Sequence, residues 1–280
     1  MTGGFDPAAF GCAPGRRPLL MGVINVTPDS FSDGGRHACT QAAIDHGRRL
    51  AGEGADILDV GGESTRPGAQ PVDGAEEAAR VLPVIEALAR DGHVVSIDTR
   101  RAAVMEAAIA RGARIVNDVT ALAGDARSLE VVARHAVPVV LMHMQGEPAT
   151  MQAAPRYQDV VGEVAAYLAS RVAACVAAGV SPGRICVDPG IGFGKTPGHN
   201  LSLLRALAAL RVPGCGMLVG ASRKSFIAAL SRGEDVGSRL PGSLAVALHA
   251  AEAGADILRV HDVAETRQAL EIWRLLRAAE

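Results

Sequence analysis

Eight short apolar segments, each ending at or directly before a polar residue or a glycine, alternate with longer segments of helical spacing along most of the chain. They are rich in β-branched residues and almost continuously apolar, which is typical of strands buried on both faces of a parallel sheet. This alternation predicts an α/β fold, a closed (β/α)8 or TIM barrel in a single domain, with an open doubly wound sheet as the alternative. The predicted strands are Leu19–Asn25, Ile57–Gly61, Val94–Asp98, Ile115–Asp118, Val139–His143, Ile185–Asp188, Met217–Gly220 and Ile257–Val260.

The junctions between predicted helices and strands repeat along the chain. GADILDV at 54–60 and GADILRV at 254–260 are near copies, and GARIVND at 112–118 is a looser one. Each junction is interpreted as a glycine that ends a helix, followed directly by a buried strand. Apolar stripes at helical spacing lie at 161–176 and 269–276, and Pro83 is expected to kink or split the helix predicted over 75–90.

The composition is that of an ordinary globular chain and argues against several classes of function. The chain has 280 residues, 49% of them apolar, and a net charge of −2, which does not favour nucleic acid or an anionic membrane surface. Aromatic residues, at 3%, are too few for a base-stacking surface. No apolar run reaches the roughly 18 residues of a membrane span.

The termini and the cysteines indicate the compartment and the domain bounds. Residues 1–17 are rich in Gly, Pro and Ala and are predicted to be a flexible leader, followed by the barrel at 18–280. The N-terminus lacks the basic-then-apolar pattern of a secretory signal. The five cysteines are scattered and form no C-x-x-C pair, which argues against a disulfide framework or structural zinc. A reducing, cytoplasmic location is therefore predicted.

Polar side chains stand at nearly every predicted strand exit, and this end of a TIM barrel carries the active site. The pattern predicts an enzyme. Asn117 and Asp188 suit a flat heterocycle, because a carboxylate accepts two N–H groups while an amide both donates and accepts. The cationic and hydroxyl residues at these exits suit an anion such as phosphate or diphosphate, and they are Ser64, Thr65, Arg66, Ser222, Arg223, Lys224, Arg259 and His261.

The sequence GIGFGKT at 190–196 is not interpreted as a nucleotide loop. Pro189 stands where the Walker pattern needs glycine, and glycines spaced by twos do not match the dinucleotide fingerprint. Lys195 is therefore expected to be a loop lysine, and Phe193 either covers a flat ligand or packs the loop. His143, between two methionines, is expected to be a packed, hydrogen-bonded histidine. No residue cluster has transition-metal spacing, so any metal is expected to be Mg²⁺ held mostly by substrate phosphates.

A set of motifs in the right order resembles the bacterial dihydropteroate synthases, from about residue 17 to the C-terminus. The motifs are INVTPDSFSDGG (24–35), DVGGESTRPGA (59–69), SIDT (96–99), NDV (117–119), LMHMQG (141–146), DPGIGFGKT (188–196), SRKS (222–225), GSLA (242–245) and RVHDV (259–263). Members of that family join 6-hydroxymethyl-7,8-dihydropterin diphosphate to 4-aminobenzoate and release diphosphate. The resemblance implies a TIM barrel, Mg²⁺, a homodimer and inhibition by sulfonamides.

The resemblance also implies a role for each matching residue. Asp98, Lys224, Arg259 and His261 are the implied catalytic residues, with Asp98 stabilising positive charge as diphosphate leaves. The implied pterin diphosphate site comprises Thr65, Asp98, Asn117, Asp188, Phe193, Lys224, Arg259 and His261. The implied 4-aminobenzoate site comprises Phe31, Thr65, Arg66, Pro67 and Ser222. Asn25 is the implied Mg²⁺ ligand.

The expected chemistry is a dissociative, SN1-like departure of diphosphate, followed by attack of the aromatic amine. The loops Thr27–Arg36 and Ser64–Gln70 are expected to be mobile in the free enzyme and to order around the intermediate. Two alternatives share the implied pterin site. One is a pterin-dependent methyltransferase, which would need a corrinoid partner, and the other is a non-catalytic pterin-binding paralogue.

Overall fold

Eight parallel strands close into one barrel, in which each strand pairs with the next along the chain and the eighth pairs with the first. The computed structural model describes residues 17–26, 35–64 and 72–277, with the side chains of 35–38 outside that description. The TIM-barrel prediction is confirmed and the open-sheet alternative is wrong. The observed strands lie within one residue of the predicted bounds: β1 Leu19–Asn25, β2 Ile57–Gly61, β3 Val95–Asp98, β4 Ile115–Asp118, β5 Val139–Met142, β6 Ile185–Asp188, β7 Gly216–Val219 and β8 Ile257–Val260.

Helices surround the barrel and pack their apolar sides on the strands. The helices within the described residues are α1 Gly35–Glu53, α2 Gly74–Arg90, α3 Ala102–Ala110, α4 Ser128–His135, α5 Val160–Ala177, α6 Pro197–Arg205, α7 Ser225–Ala229, α8 Leu240–Glu252 and α9 Val263–Arg277. Of the expected kink or split at Pro83, the split is wrong, because α2 runs unbroken through the proline. Val81, Val84 and Ile85 around the proline are fully buried, and this packing holds the helix together despite the missing donor.

The repeated Gly-Ala-Asp junctions before β2 and β8 have the same two structural roles. Gly54 and Gly254 follow α1 and α8 with φ of 100° and 84°, so the expectation that glycine ends these helices is confirmed. The aspartate two residues later then accepts a backbone N–H from a neighbouring strand. Asp56 accepts from Leu20 at 2.7 Å and Asp256 from Met217 at 2.8 Å, which fixes the amino-terminal edge of the barrel. Asp56 also pairs with Arg17 at 2.7 Å, which ties the start of the described chain to this edge.

The barrel interior is apolar at its amino-terminal half and polar above it. The apolar layer comprises Met21, Ile57, Ile115, Val140, Cys186, Leu218 and Ile257, all fully buried. Side chains alternate along a strand, so the residue two positions later also points inward, one layer closer to the carboxyl ends. On four strands that residue is polar or charged, namely Asp59, Asn117, Asp188 and Arg259. The strand period therefore brings these four together in the mouth of the barrel.

Helix α5 corrects one expectation from the sequence. By length and composition it is apolar enough to cross a membrane, although no segment was expected to be. Its stripe of Val164, Leu168, Val172 and Cys175 is buried against the barrel, and Asp159 caps its N-terminus. These contacts are those of an outer helix of a TIM barrel.

Helix α9 also differs from its predicted stripe. Leu270 is fully buried and Trp273 packs partly against the core. Ile272 and Leu276, expected on the same stripe, are 54% and 82% exposed. The helix therefore turns one apolar edge to the barrel and a second one outward.

Candidate active site

A charge network centred on Arg259 lies at the carboxyl end of the barrel. Arg259 donates from Nε to Oδ2 of Asp59 at 2.7 Å and from Nη2 to Oδ2 of Asp98 at 2.7 Å. Asn117 donates from Nδ2 to the same oxygen of Asp59 at 3.1 Å. Burial alone would lower the pKa of Arg259, but Asp59 and Asp98 raise it above its ordinary value. The guanidinium is therefore permanently charged and rigidly oriented.

Asp59 is a part of this network that the sequence reasoning missed. It is fully buried on β2, and its Oδ1 has no hydrogen-bond partner among the described residues. The alternation of side chains along a strand could have identified it, because Asp59 lies two residues after the inward-pointing Ile57 and so also points inward. Attention to strand exits alone overlooked it, because Asp59 lies inside the strand.

Asp98 ends β3 and belongs to this network. Burial raises its pKa to about 7; Arg259 opposes the rise, and the carboxylate of Asp59 adds to it. A pKa near the working pH is expected of a carboxyl group that meets developing charge during a reaction.

Asp188, at the end of β6, faces a lysine across the mouth of the barrel. Its Oδ1 accepts the backbone N–H of Gly190 at 2.7 Å, and burial raises its pKa while Lys224 lowers it. Burial lowers the pKa of Lys224 to about 8 against the field of Asp188, and its ammonium donates to the carbonyl of Ile191. The Lys224 Nζ also stands 4.4 Å from the ring centroid of Phe193. A carboxylate, an ammonium and an aromatic face thus share one half-buried pocket.

The exits of β7 and β8 form a second polar group. Ser222 Oγ contacts Nδ1 of His261 at 3.1 Å and accepts its backbone N–H at 3.3 Å. Arg223, which the sequence placed among the anion-binding cations, forms hydrogen bonds from Nε and Nη2 to the carboxylate of Asp262. This pairing turns Arg223 into a tie between the two exits, while Ser222 and His261 remain together near Arg259.

Asn25 is half-buried at the end of β1 and pairs with Gly61 of β2, which in turn pairs with Asp98 of β3. Gly61 lies between them, and a Cβ on it would lie 3.4 Å from the Cβ of Asp98. Four other predicted site residues lie outside the described residues, namely Phe31, Thr65, Arg66 and Pro67. Most of the two loops expected to be mobile also lies there.

The ends of the undescribed segment 65–71 are held by ion pairs. Glu63 accepts hydrogen bonds from Arg100, from Arg101 and from the backbone N–H of Val72. Arg101 also donates to Oε2 of the fully buried Glu77 at 2.5 Å. Burial would raise the pKa of Glu63, but these donors lower it, so the group stays ionised.

The glycine loop, defined here as residues 189–196, binds the polypeptide that follows β5. Gly190 and Gly194 have φ of 66° and 62°, and a Cβ on them would lie 1.9 Å from the carbonyl oxygen of His143 and 2.2 Å from that of Gln145. The glycines therefore allow two backbones to approach each other.

His143 and Lys195 are buried where these two segments meet. His143 is 7% exposed, as expected for a packed histidine, and burial together with Lys195 lowers its pKa to about 3. Lys195 lies in the loop, as expected, but it is 3% exposed and its Nζ lies 3.0 Å from Nδ1 of His143.

Gly190→Ala is expected to lower the free energy of unfolding by well over 2 kcal/mol, because it adds a backbone clash to the cost of a left-handed residue. Gly179→Ala is the matched control, since φ there is 91° and a Cβ would meet nothing within 4 Å. It should cost only about 1 kcal/mol. Urea unfolding of both variants measures the difference, and equal losses would remove the close approach at Gly190 as the cause.

Comparisons with known proteins agree with this geometry. The family model described as pterin binding enzyme matches residues 21–261. A dihydropteroate synthase of Neisseria meningitidis serogroup C is 52% identical over 264 residues, which is 93% of each chain.

Two solved structures share the fold and about half of the sequence. The Xanthomonas albilineans dihydropteroate synthase with 4-aminobenzoic acid is 49% identical, with a TM-score of 0.89 over 95% of each chain. The Yersinia pestis enzyme in complex with a sulfonamide drug is 44% identical, with a TM-score of 0.89 over 97% of this chain and 98% of that one. The chain therefore belongs to the pterin-binding enzyme family, among the dihydropteroate synthases.

Proposed function

We propose that the mouth of this barrel condenses 6-hydroxymethyl-7,8-dihydropterin diphosphate with 4-aminobenzoate, giving 7,8-dihydropteroate and diphosphate. The observation that carries the proposal is the Arg259 network, which joins Asp59, Asp98 and Asn117 beside the Asp188–Lys224 pocket. The pocket offers acceptors and donors for a flat amino-heterocycle, and the network offers a fixed cation for a leaving anion.

The pterin subsite is proposed to comprise Asn117, Asp188, Lys224 and Phe193, with Asp98 at the opposite edge. Asp188 retains one carboxylate oxygen beyond its bond to Gly190, so it can accept an N–H from the ligand. Asn117 already donates to Asp59, which orients its carbonyl as an acceptor. Lys224 supplies a donor, and the Phe193 ring supplies an apolar face.

The diphosphate is proposed to leave toward Arg259, His261 and the Ser222 hydroxyl. As it departs, positive charge spreads from the exocyclic carbon into the electron-rich dihydropterin, and the nearby Asp98 carboxylate stabilises that charge. The residues then act mainly by positioning and by complementary charge, which suits a dissociative step followed by attack of the aromatic amine. By the family resemblance, the proposed aminobenzoate contacts are Phe31, Thr65, Arg66, Pro67 and Ser222.

The acid limb of activity is expected to follow Asp98. Its pKa is raised to about 7, so the carboxylate is lost by protonation as the pH falls below that value. Since the charged form stabilises the developing cation, kcat/KM should fall about tenfold per pH unit below pH 7. Asp98→Asn should be much less active and should lack this limb. A pH profile of both proteins tests this, and an unchanged acid limb in the variant would assign it to another group.

Mg²⁺ is the proposed cofactor, with Asn25 as its ligand from the protein. Within the described residues there is no group of three His, Cys, Asp or Glu side chains that could hold a metal. A single amide side chain at the end of β1 fits an ion whose other ligands would be phosphate oxygens and water. The ion would neutralise charge on the diphosphate, and Asn25 would orient the diphosphate through it.

A coupled diphosphate-release assay tests the proposal directly. The purified chain is supplied with the pterin diphosphate, with and without 4-aminobenzoate, in Mg²⁺ or in excess chelator. Dihydropteroate that forms only with both substrates, and that a sulfonamide suppresses, is the expected result. Single-turnover diphosphate release without 4-aminobenzoate supports the dissociative step, while strict dependence on the amine would overturn that step order. Pterin binding without any product would instead favour the non-catalytic alternative.

A cytoplasmic homodimer is proposed for the assembled protein. Ile272, Leu275 and Leu276 on α9 are between 54% and 82% exposed, and an apolar edge of this kind supports a self-association surface. Sedimentation of the purified chain measures the assembly, and a monomer at micromolar concentration would reject it. The buried, unbonded sulfurs of Cys175, Cys186 and Cys215 are compatible with a reducing compartment.

A further inference from the structure

Lys195 is a buried lysine that has no role in the proposed chemistry. Its ammonium has three N–H groups, and three acceptors lie within reach. These are Nδ1 of His143 at 3.0 Å, the carbonyl of Phe193 at 3.0 Å and the carbonyl of His143 at 3.3 Å. All three acceptors are uncharged, since His143 has its pKa lowered to about 3. A buried ammonium held only by neutral acceptors is costly and calls for a reason.

The three bonds connect two segments that are far apart in sequence. One acceptor side chain and one carbonyl belong to His143, directly after β5, and the other carbonyl belongs to Phe193 in the glycine loop. The carbonyl bond fixes the backbone of Phe193, whose ring lies against the ammonium of Lys224. Lys195 therefore sets the position of the aromatic face in the proposed pterin subsite.

Lys195 also acts on the charge of that subsite. Burial lowers the pKa of Lys195 to about 7, the field of Asp188 opposes this fall, and Lys224 adds to it. Burial raises the pKa of Asp188, and Lys224, Lys195 and Arg259 oppose that rise. Lys195 therefore favours the ionised form of the pocket carboxylate from its buried position in the glycine loop.

Other contacts hold the loop without reaching the pterin subsite. The hydroxyl of Tyr157 donates to the carbonyl of Gly194 at 3.0 Å, and the amide of Gln152 donates to the carbonyl of Gly192. Because these ties remain when Lys195 is replaced, the loop should still form. The particular contribution of Lys195 lies in its bond to Phe193 and its charge near Asp188.

We propose that Lys195 is a positioning residue for the pterin substrate, which acts through the backbone of Phe193 and the carboxylate of Asp188. It does not touch the reacting atoms, and it serves pterin recognition rather than the 4-aminobenzoate subsite. This inference deepens the proposed function and rests on it.

The test is Lys195→Met, which keeps the length of the side chain and removes its donors and charge. Isothermal titration with the bare pterin alcohol should show binding weakened roughly tenfold or more, the scale of a lost charged hydrogen bond. The KM for the pterin diphosphate should rise accordingly. The KM for 4-aminobenzoate, measured at saturating pterin diphosphate, should change less than about threefold.

The matched control is Tyr157→Phe, which removes a different hydrogen bond to the same loop. Its melting temperature should fall somewhat, as for Lys195→Met, but its pterin affinity should stay near that of the unaltered protein. A pterin loss as large as that of Lys195→Met would show that any loosening of the loop suffices, and would overturn the specific role.

A double-mutant cycle with Phe193→Leu distinguishes a specific effect of Lys195 on Phe193 from a general loss of stability. If Lys195 acts through Phe193, the two substitutions together should cost clearly less pterin affinity than the product of their separate factors. Fully multiplicative losses, or equal losses for both substrates, would overturn the proposal. These outcomes are distinct from failure of the proposed function, in which the unaltered protein itself would form no dihydropteroate.

Discussion

Arg259→Ala is expected to lower kcat/KM for the pterin diphosphate by roughly 10²–10⁴-fold, the largest effect of any single change in this site. The guanidinium holds the carboxylates of Asp59 and Asp98 at 2.7 Å each, and it is 22% exposed toward the barrel mouth. Its removal takes away the fixed cation that the diphosphate would meet. It also leaves the carboxylates of Asp59 and Asp98 without the cation that they share.

The substrate dependence separates these two consequences. Loss of a diphosphate contact should weaken the diphosphate-bearing substrate far more than the bare pterin alcohol, whereas a collapsed pocket should weaken both alike. Titration of the two ligands into Arg259→Ala measures the ratio. Equal losses would move Arg259 off the diphosphate and leave it a purely structural role.

Arg259→Lys is the matched control, because it retains the charge and loses the fork that reaches two carboxylates at once. It should recover part of the diphosphate affinity. It should not recover the full rate, since a single ammonium cannot hold Asp59 and Asp98 in their observed places. A lysine variant as active as the unaltered protein would show that charge alone suffices at this position.

The fold was readable from the sequence because the barrel depends on local patterns. Each strand is a short, β-branched, fully buried run, and glycines such as Gly54 and Gly254 end helices with a positive φ that other residues resist. The errors came where packing overrides local preference. Pro83 is accommodated within α2 because the residues around it are buried. The sequence of the segment alone does not predict this tertiary packing.

The site was predicted in part, and its gaps have physical causes. Asp98, Asn117, Asp188 and Arg259 stand at or near strand ends, so barrel topology alone brings them together. Lys195 could not be recognised, because its burial arises from a contact with His143, 52 residues earlier in the chain. A lysine beside glycines is ordinarily exposed, and only the meeting of the two segments reverses this.

Asp188→Asn is expected to weaken pterin binding by about 2–3 kcal/mol, which corresponds to roughly 30- to 150-fold. The change is nearly isosteric, and the retained oxygen can still accept the N–H of Gly190, so the loop should keep its shape. The second oxygen, however, becomes an amide nitrogen. Asp188 is only 6% exposed, so water cannot readily replace the lost acceptor. A ligand N–H that meets a carboxylate oxygen in the unaltered protein would meet an amide N–H in the variant.

The pH dependence of this loss should identify its electrostatic part. Asp188 raises the pKa of Lys224, which burial has lowered to about 8, so the asparagine variant should lose the Lys224 proton at a lower pH. The variant should therefore lose more pterin affinity at about pH 8 than at about pH 6.5.

Asp262→Asn, which breaks the pair with Arg223 at the same end of the barrel, is the matched control. It should leave the affinity for the bare pterin alcohol unchanged. Titration of that ligand at both pH values decides the matter, because a pH-independent loss would mean that Asp188 acts on pterin by hydrogen bonding alone. An unchanged affinity would remove Asp188 from the pocket.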